Sequence, residues 1–186
     1  WEALKQFRQN ALNPEHPCLR GTAQNSDIYF QTREAANPFY QKVPDIVQEY
    51  MDQYKELTGR EYKLFQYYGA PDADRVIVAL GSIGDTITET IDYLSAKGEK
   101  VGVLRVRLYR PFSAKHFLQE LPKSVKKIAV LDRTKEPGSV GEPLYLDVRD
   151  VFYEQENRPV IVGGRFGLGS KDTTPSQILA VFENLK

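Results

Sequence analysis

The sequence predicts an α/β fold of three layers, with helices packed on both faces of a mostly parallel sheet. Two observations carry this expectation. Short apolar runs rich in β-branched residues recur along the chain: "RVIVAL" (75–80), "KVGVLRVRLY" (100–109), "VKKIAVLD" (125–132) and "PVIVGGRFG" (159–167). Segments of helical periodicity lie between them. Strands that are apolar throughout are those buried on both faces, and regular strand–helix alternation marks parallel crossovers.

The elements follow in order. The stretch "ALNPEHPCLRGTAQNSDIYFQTREAANPFY" contains Pro14, Pro17 and Pro38 among small polar residues. A proline pushes the residue before it out of helical geometry, so residues 1–42 are expected to form an extended arm with turns. Its aromatics Tyr29, Phe30, Phe39 and Tyr40 need a neighbour to pack on. Val43, Ile46, Val47, Tyr50, Met51, Tyr54 and Leu57 then recur at three- and four-residue spacing, the face of an amphipathic helix. Gly59 is its expected C-terminal cap. "YKLFQYYG" (62–69) is a short strand and "APDADR" a turn-rich connection.

Past "RVIVAL", the segment "GSIGDTITETIDYLSAKG" is a glycine turn opening a helix. "SAKHFLQELP" is a helix with Ser113 as its cap, and "GEPLYLDVRDVFYEQ" one with Pro143 in its first turn. "TPSQILAVFENL" closes the chain as a helix started by Thr174 and Pro175. The predicted organisation is an arm over 1–42 and one α/β domain over 43–186.

Composition excludes several functions. The 186 residues carry 25 acidic and 25 basic side chains, whereas a general nucleic-acid binder needs a basic footprint. Cys18 is the single cysteine, which rules out an internal disulfide framework and fits a reducing, cytoplasmic setting. His16 and His116 lie far apart in sequence without ligand-like neighbours, so no metal site is expected. No run is long and apolar enough to predict a membrane helix. Trp1 in place of methionine, and an end inside the helical "FENLK", fit either disorder or tag removal at the termini or a piece of a longer protein.

Chemistry is sparse. Gly81, Ser82 and Gly84 of "GSIGDT" form a weak anion-site candidate, because a strand-to-helix turn aims backbone N–H groups at the helix's positive end. The string matches no phosphate-loop pattern and has no lysine, and Asp85 repels anions, so a structural turn is the preferred reading. Arg165 and Lys171 of "GGRFGLGSKD" form a second weak candidate, against the commoner outcome of a connecting loop. Arg105 and Arg107 of "VRLYRPF" lie on one side of a strand and need partners if it is buried, Arg110 follows just past its end, and for Arg107 or Arg110 these partners are acidic. Asp132 or Glu136, from the charge-dense "DRTKEPGSVGEP", are the expected ones. No nucleophile–base pair or catalytic carboxylate pair is apparent. Residue chemistry alone indicates a binding or interface domain.

Five blocks resemble one family. They are "HPCLRGTAQNSDIYFQTREAANPFY", "GREYKLFQYYGAPDADRVIVALGS", "GEKVGVLRVRLYRPF", "IAVLDRTKEPGSVGEPLYLDV" and "GGRFGLGSKDTTPSQILAVFENL". Together they resemble pyruvate:ferredoxin (flavodoxin) oxidoreductases. "RGTAQN" and "LDRTKEPG" are the most telling, since no general fold requirement produces them.

The resemblance implies a transketolase C-terminal-like domain preceded by the arm that leaves a thiamine-pyrimidine domain. It implies a parent enzyme that converts pyruvate and coenzyme A to acetyl-CoA and carbon dioxide, with electrons passing to ferredoxin or flavodoxin. That parent would use thiamine diphosphate, Mg and iron–sulfur clusters, none of them held by this piece, and no catalytic residue is carried over. Arg107, Arg110, Asp132, Arg133, Lys135 and Glu136 become candidates for contact with other domains of the polypeptide or with its dimer mate. A free-standing domain that binds phosphate or coenzyme A, and the same module acting on another 2-oxoacid, remain alternatives.

Overall fold

The computed structural model describes residues 1–18, 21 and 23–186. Leu19 lies outside the described residues, as do Arg20 and Thr22 of the "RGTAQN" string. The chain divides into two compact units, Trp1–Phe39 and Tyr40–Lys186.

The first unit corrects one expectation. It holds helices α1 (Glu2–Gln9) and α2 (Ser26–Ala35), where an extended arm is predicted. Pro14 and Pro17 fall between these helices, and the segment from Ser26 to Ala35 has no proline to break it. Helix α3 (Asn37–Thr58) then starts at Asn37 rather than Val43. Pro38 sits in its first turn, where a missing N–H costs nothing. The arm's aromatics Tyr29, Phe30, Phe39 and Tyr40 are exposed.

In the second unit α3 runs on through the buried Pro44 and ends at Gly59, whose φ of +73° makes it the predicted cap. The Gly59 N–H donates to the Lys55 carbonyl at 2.8 Å. The remaining elements are β1 (Phe65–Gly69), β2 (Arg75–Leu80), α4 (Ile83–Ser95), β3 (Val101–Val106), α5 (Ala114–Glu120), β4 (Lys127–Asp132), α6 (Pro143–Val151), β5 (Val160–Arg165) and α7 (Pro175–Asn184). Each falls within the stretch that periodicity predicts for it.

The five strands form one sheet in the order β1-β3-β2-β4-β5. All neighbours are parallel except β1, which pairs antiparallel with β3 at the edge. Strand alternation splits the core in two. Val76 and Val78, Leu104 and Val106, and Ile128 and Val130 face α5 and α6, where Phe117, Leu144, Val148 and Phe152 fill the layer. Ile77, Ala79, Val101, Val103, Ala129 and Leu131 face α4 and α7. The expected three-layer α/β architecture is therefore present. Because β3 and β4 lie on opposite sides of β2, the crossovers diverge between β2 and β4. Their carboxyl ends make the rim where such sheets bind ligands.

Ser113 occupies the N-cap position of α5, but its hydroxyl lies 2.7 Å from His116 Nδ1 rather than on a helix amide. At α7 the predicted cap holds, with the Thr174 N–H donating to Gln177 Oε1 at 2.9 Å.

Candidate functional site at the carboxyl rim of the sheet

Asp132 ends β4 and is only 6% exposed. One carboxylate oxygen accepts the Leu144 N–H at 2.9 Å and the other the Tyr145 N–H at 3.1 Å. Those amides belong to the first turn of α6, which begins with a proline and gets no side-chain bond from its own N-cap residue, Glu142. Asp132 thus caps α6 from the neighbouring strand. Burial pushes its carboxyl above the ordinary value, and the charges of Glu142 and Asp147 add to this, while the two amide bonds pull it down.

Glu142, 3% exposed, is the hub of the loop between β4 and α6. It accepts the Glu136 N–H at 2.7 Å, pairs closely with Arg165, and lies 3.7 Å from Lys135 Nζ. Burial drives its carboxyl upward, but the bonds from Arg165 and the Glu136 amide, with the Arg165 and Lys135 charges, hold it below the ordinary value. Arg133 reaches sideways, its Nε donating to the Gly167 carbonyl at 3.1 Å and tying this loop to the one after β5.

The density of charge in "DRTKEPGSVGEP" therefore has two origins. Asp132 and Glu142 are internal fasteners, whereas Arg133, Lys135 and Glu136 are exposed.

The expected pairing of Arg107 or Arg110 with Asp132 or Glu136 does not occur. Arg107 donates to Gln66 Oε1 at 2.8 Å and stacks over Tyr62, with 4.7 Å from its guanidinium carbon to the ring centroid. Arg110 Nη1 lies 2.8 Å from Asp147 Oδ2, an ion pair that lacks hydrogen-bond geometry, and its Nη2 donates to Tyr109 Oη at 3.0 Å. Burial, with Asp147 beside it, pushes the Tyr109 phenol up to about 12. The physical reason is reach: Asp132 is spent on the α6 amides, while Asp147 on α6 faces Arg110.

The two glycine turns differ. At Gly84 a Cβ would meet Arg105 Nε at 2.8 Å, because the Arg105 guanidinium fills the turn. That guanidinium bonds Asp85 at 2.8 Å, the Gly84 carbonyl at 2.5 Å, and Thr88. The space beside Gly84 thus holds the chain's own cation and anion, whereas Gly81 faces open space. The second turn borders a cavity of about 300 Å³ lined by Leu131, Arg165, Phe166, Lys171 and Ile178 among others. Arg165 in that wall is already neutralised by Glu142.

Sequence reasoning missed Glu142 and Asp147. A glutamate immediately before a proline at a helix start, as in "GEP", was the available signal for the first. Among the described residues no cluster of three or more His, Cys, Asp or Glu side chains is placed to hold a metal ion. One cysteine falls short of the thiolate set of an iron–sulfur cluster, so the residues present do not fit that group. No helix of the described residues is long and apolar enough to cross a membrane.

Residues 73–178 match the family described as "Pyruvate:ferredoxin oxidoreductase core domain II". A pyruvate-flavodoxin oxidoreductase from Enterobacter agglomerans is 65% identical over 99% of this chain and 16% of its own length. A pyruvate:ferredoxin oxidoreductase from Moorella thermoacetica is 64% identical over 100% of this chain and 16% of its own. A "Pyruvate dehydrogenase [NADP(+)]" from Cryptosporidium parvum is 54% identical over 100% of this chain and 10% of its own. The chain thus spans about a sixth, or less, of the curated relatives it matches.

Proposed function

The chain belongs to the pyruvate:ferredoxin oxidoreductase family, and from that premise we propose that it is a structural, interdomain module of an enzyme oxidising pyruvate with coenzyme A to acetyl-CoA and carbon dioxide. One observation carries this reading: 65% identity extends over nearly the whole chain while accounting for only 16% of the relative. Residues 1–42 are the segment leaving the preceding thiamine-pyrimidine domain, and 43–186 the transketolase C-terminal-like domain. Thiamine diphosphate, Mg and the iron–sulfur clusters are held by segments outside this chain, in a cytoplasmic protein.

The relatives are named for flavodoxin, ferredoxin and NADP+, yet pyruvate is common to all three names. This supports pyruvate as the substrate of the whole enzyme. It also supports an electron acceptor chosen elsewhere, with ferredoxin or flavodoxin the partner for this family.

The experiment extends the reading frame on both sides and assays the complete polypeptide and this chain separately. Coenzyme A-dependent pyruvate oxidation with ferredoxin or flavodoxin is expected from the complete polypeptide and not from the chain alone. A frame closing near Trp1 and Lys186 overturns the reading. The cavity beside Arg165 and Lys171 favours a second reading, a phosphate- or coenzyme A-binding domain. Calorimetry with coenzyme A decides it, and heat of binding lost in Lys171→Ala would carry it.

A further inference from the structure

Helix α3 is apolar over more of its circumference than its own domain covers. Pro44 is buried, and Val47 and Met51 pack on the core that lies against α5 and α6. Ile46, Tyr50 and Leu57 are 46%, 64% and 85% exposed. At about 100° per residue, Pro44, Val47 and Met51 fall on one stripe, and Ile46, Tyr50 and Leu57 on a second, roughly 110° away. Val43 and Tyr54 lie between the two. The acids Asp45, Glu49, Asp52 and Glu56 gather on a third face. A surface helix with one partner needs a single apolar stripe and puts charge beside it. Here the acids lie nearer the exposed stripe than the buried one, with Glu49 about 60° from Ile46.

We propose that the Ile46–Tyr50–Leu57 stripe is the docking surface for a helix of the same polypeptide lying outside residues 1–186, an amphipathic helix with basic flanks. This rests on the reading of the chain as one module of a larger enzyme, and names the surface on which that module is held. Three observations select the occupant. Relatives carry some five-sixths of their length outside the matched segment, so the parent has ample chain to supply a helix. The spacing through 43, 46, 50, 54 and 57 is made of threes and fours, the ridge that a second helix packs against. Between Tyr40 and Thr58 the acids Asp45, Glu49, Asp52 and Glu56 outnumber Lys42 and Lys55, so a second copy of α3 would set two net-acidic helices side by side. A basic partner complements it instead.

The test uses the complete polypeptide, with p-benzoylphenylalanine incorporated at Tyr50 and, separately, at Leu57, followed by irradiation and peptide mapping. Both positions are expected to cross-link to one segment outside residues 1–186, while the same group at the exposed Tyr93 of α4, on the other face of the sheet, gives no link to that segment. Cross-links confined to residues 1–39, or to residues 37–58 of a second copy, overturn the occupant. Absence of any cross-link at both stripe positions overturns the docking surface. Both outcomes are read on an extended chain, so they are separate from a frame that closes at Trp1 and Lys186, which removes the function reading as well.

Discussion

The Asp132 carboxylate accepts the Leu144 amide at 2.9 Å, so the last residue of β4 fastens the first turn of α6. Helix and strand are thereby locked at the rim, because Pro143 has no N–H of its own to place and Glu142 is turned toward Arg165. Asp132→Ala strands the buried Leu144 amide and the part-buried Tyr145 amide. It is expected to cost about 2 kcal/mol of stability, read from the urea midpoint at unchanged slope. Asp132→Asn keeps one acceptor and is expected to cost about half that.

The pH dependence of this lesion has a definite sign. Burial raises the folded pKa of Asp132 above its ordinary 3.8. The folded state therefore binds the proton more tightly, and the group's contribution to stability falls as pH rises through the folded value. Asp132→Asn abolishes that gain on acidification. Its deficit against the parent chain is expected to widen as pH drops from neutral toward 3.8. A deficit that narrows would mean that the amide bonds outweigh burial.

Glu99 behaves in the opposite way. A bond from Arg75, with help from Lys186, holds its carboxyl below 4.5. Its contribution is complete above 4.5 and is lost as pH falls through the lower, folded value. Arg75, only 8% exposed, also bonds Asp74 at 3.1 Å and reaches the Phe182 carbonyl at the end of α7. Glu99→Gln is expected to lower stability by about 1 kcal/mol at pH 7 and to flatten the acid limb of the curve, measured by thermal unfolding across pH.

The sheet and its helices were legible because periodicity survives in a single sequence: "RVIVAL" and "KIAVLD" can be buried only on both faces. The segment Ser26–Ala35 is not, because the prolines that flank it in sequence predict an extended arm. At the rim, the charge density of "DRTKEP" was visible but its partners were not. Which acid meets which arginine depends on how strands and helices are brought together. Asp132 points to α6, and it is Asp147, one turn further along that helix, that meets Arg110. No spacing rule in the chain encodes that choice.

Gly84 and Arg105 make a third test. Arg105 is held by Asp85, Thr88 and the Gly84 carbonyl, so its guanidinium cannot swing aside freely for a methyl group. Gly84→Ala is expected to cost about 1–3 kcal/mol through this clash. Arg105→Ala in the same background should recover part of the loss, the non-additivity that a double-mutant cycle reads as direct contact. Additive effects would show that the turn accommodates the methyl group by moving elsewhere.

The exposed half of the rim carries the interdomain proposal, and it separates from the buried half by experiment. Lys135 and Glu136 project from the loop that Asp132 and Glu142 anchor, and Glu136 contributes only backbone groups to that loop's bonds, its N–H to Glu142 and its carbonyl to the Ser139 N–H and Lys135. Glu136→Ala keeps this amide, so the isolated chain should hold its stability within about 0.5 kcal/mol, the ordinary range for surface substitutions. If the side chain meets another domain, the complete polypeptide instead loses a charge partner at an interface, where register depends on such pairs. Its thermal midpoint and turnover should fall while those of the chain do not, and the difference should shrink at high salt. Asp132→Ala, in contrast, should lower both proteins alike, because its partners are the Leu144 and Tyr145 amides within the domain. Equal shifts in chain and complete enzyme for Glu136→Ala would remove the exposed rim as an interdomain contact and leave it as solvent-facing charge.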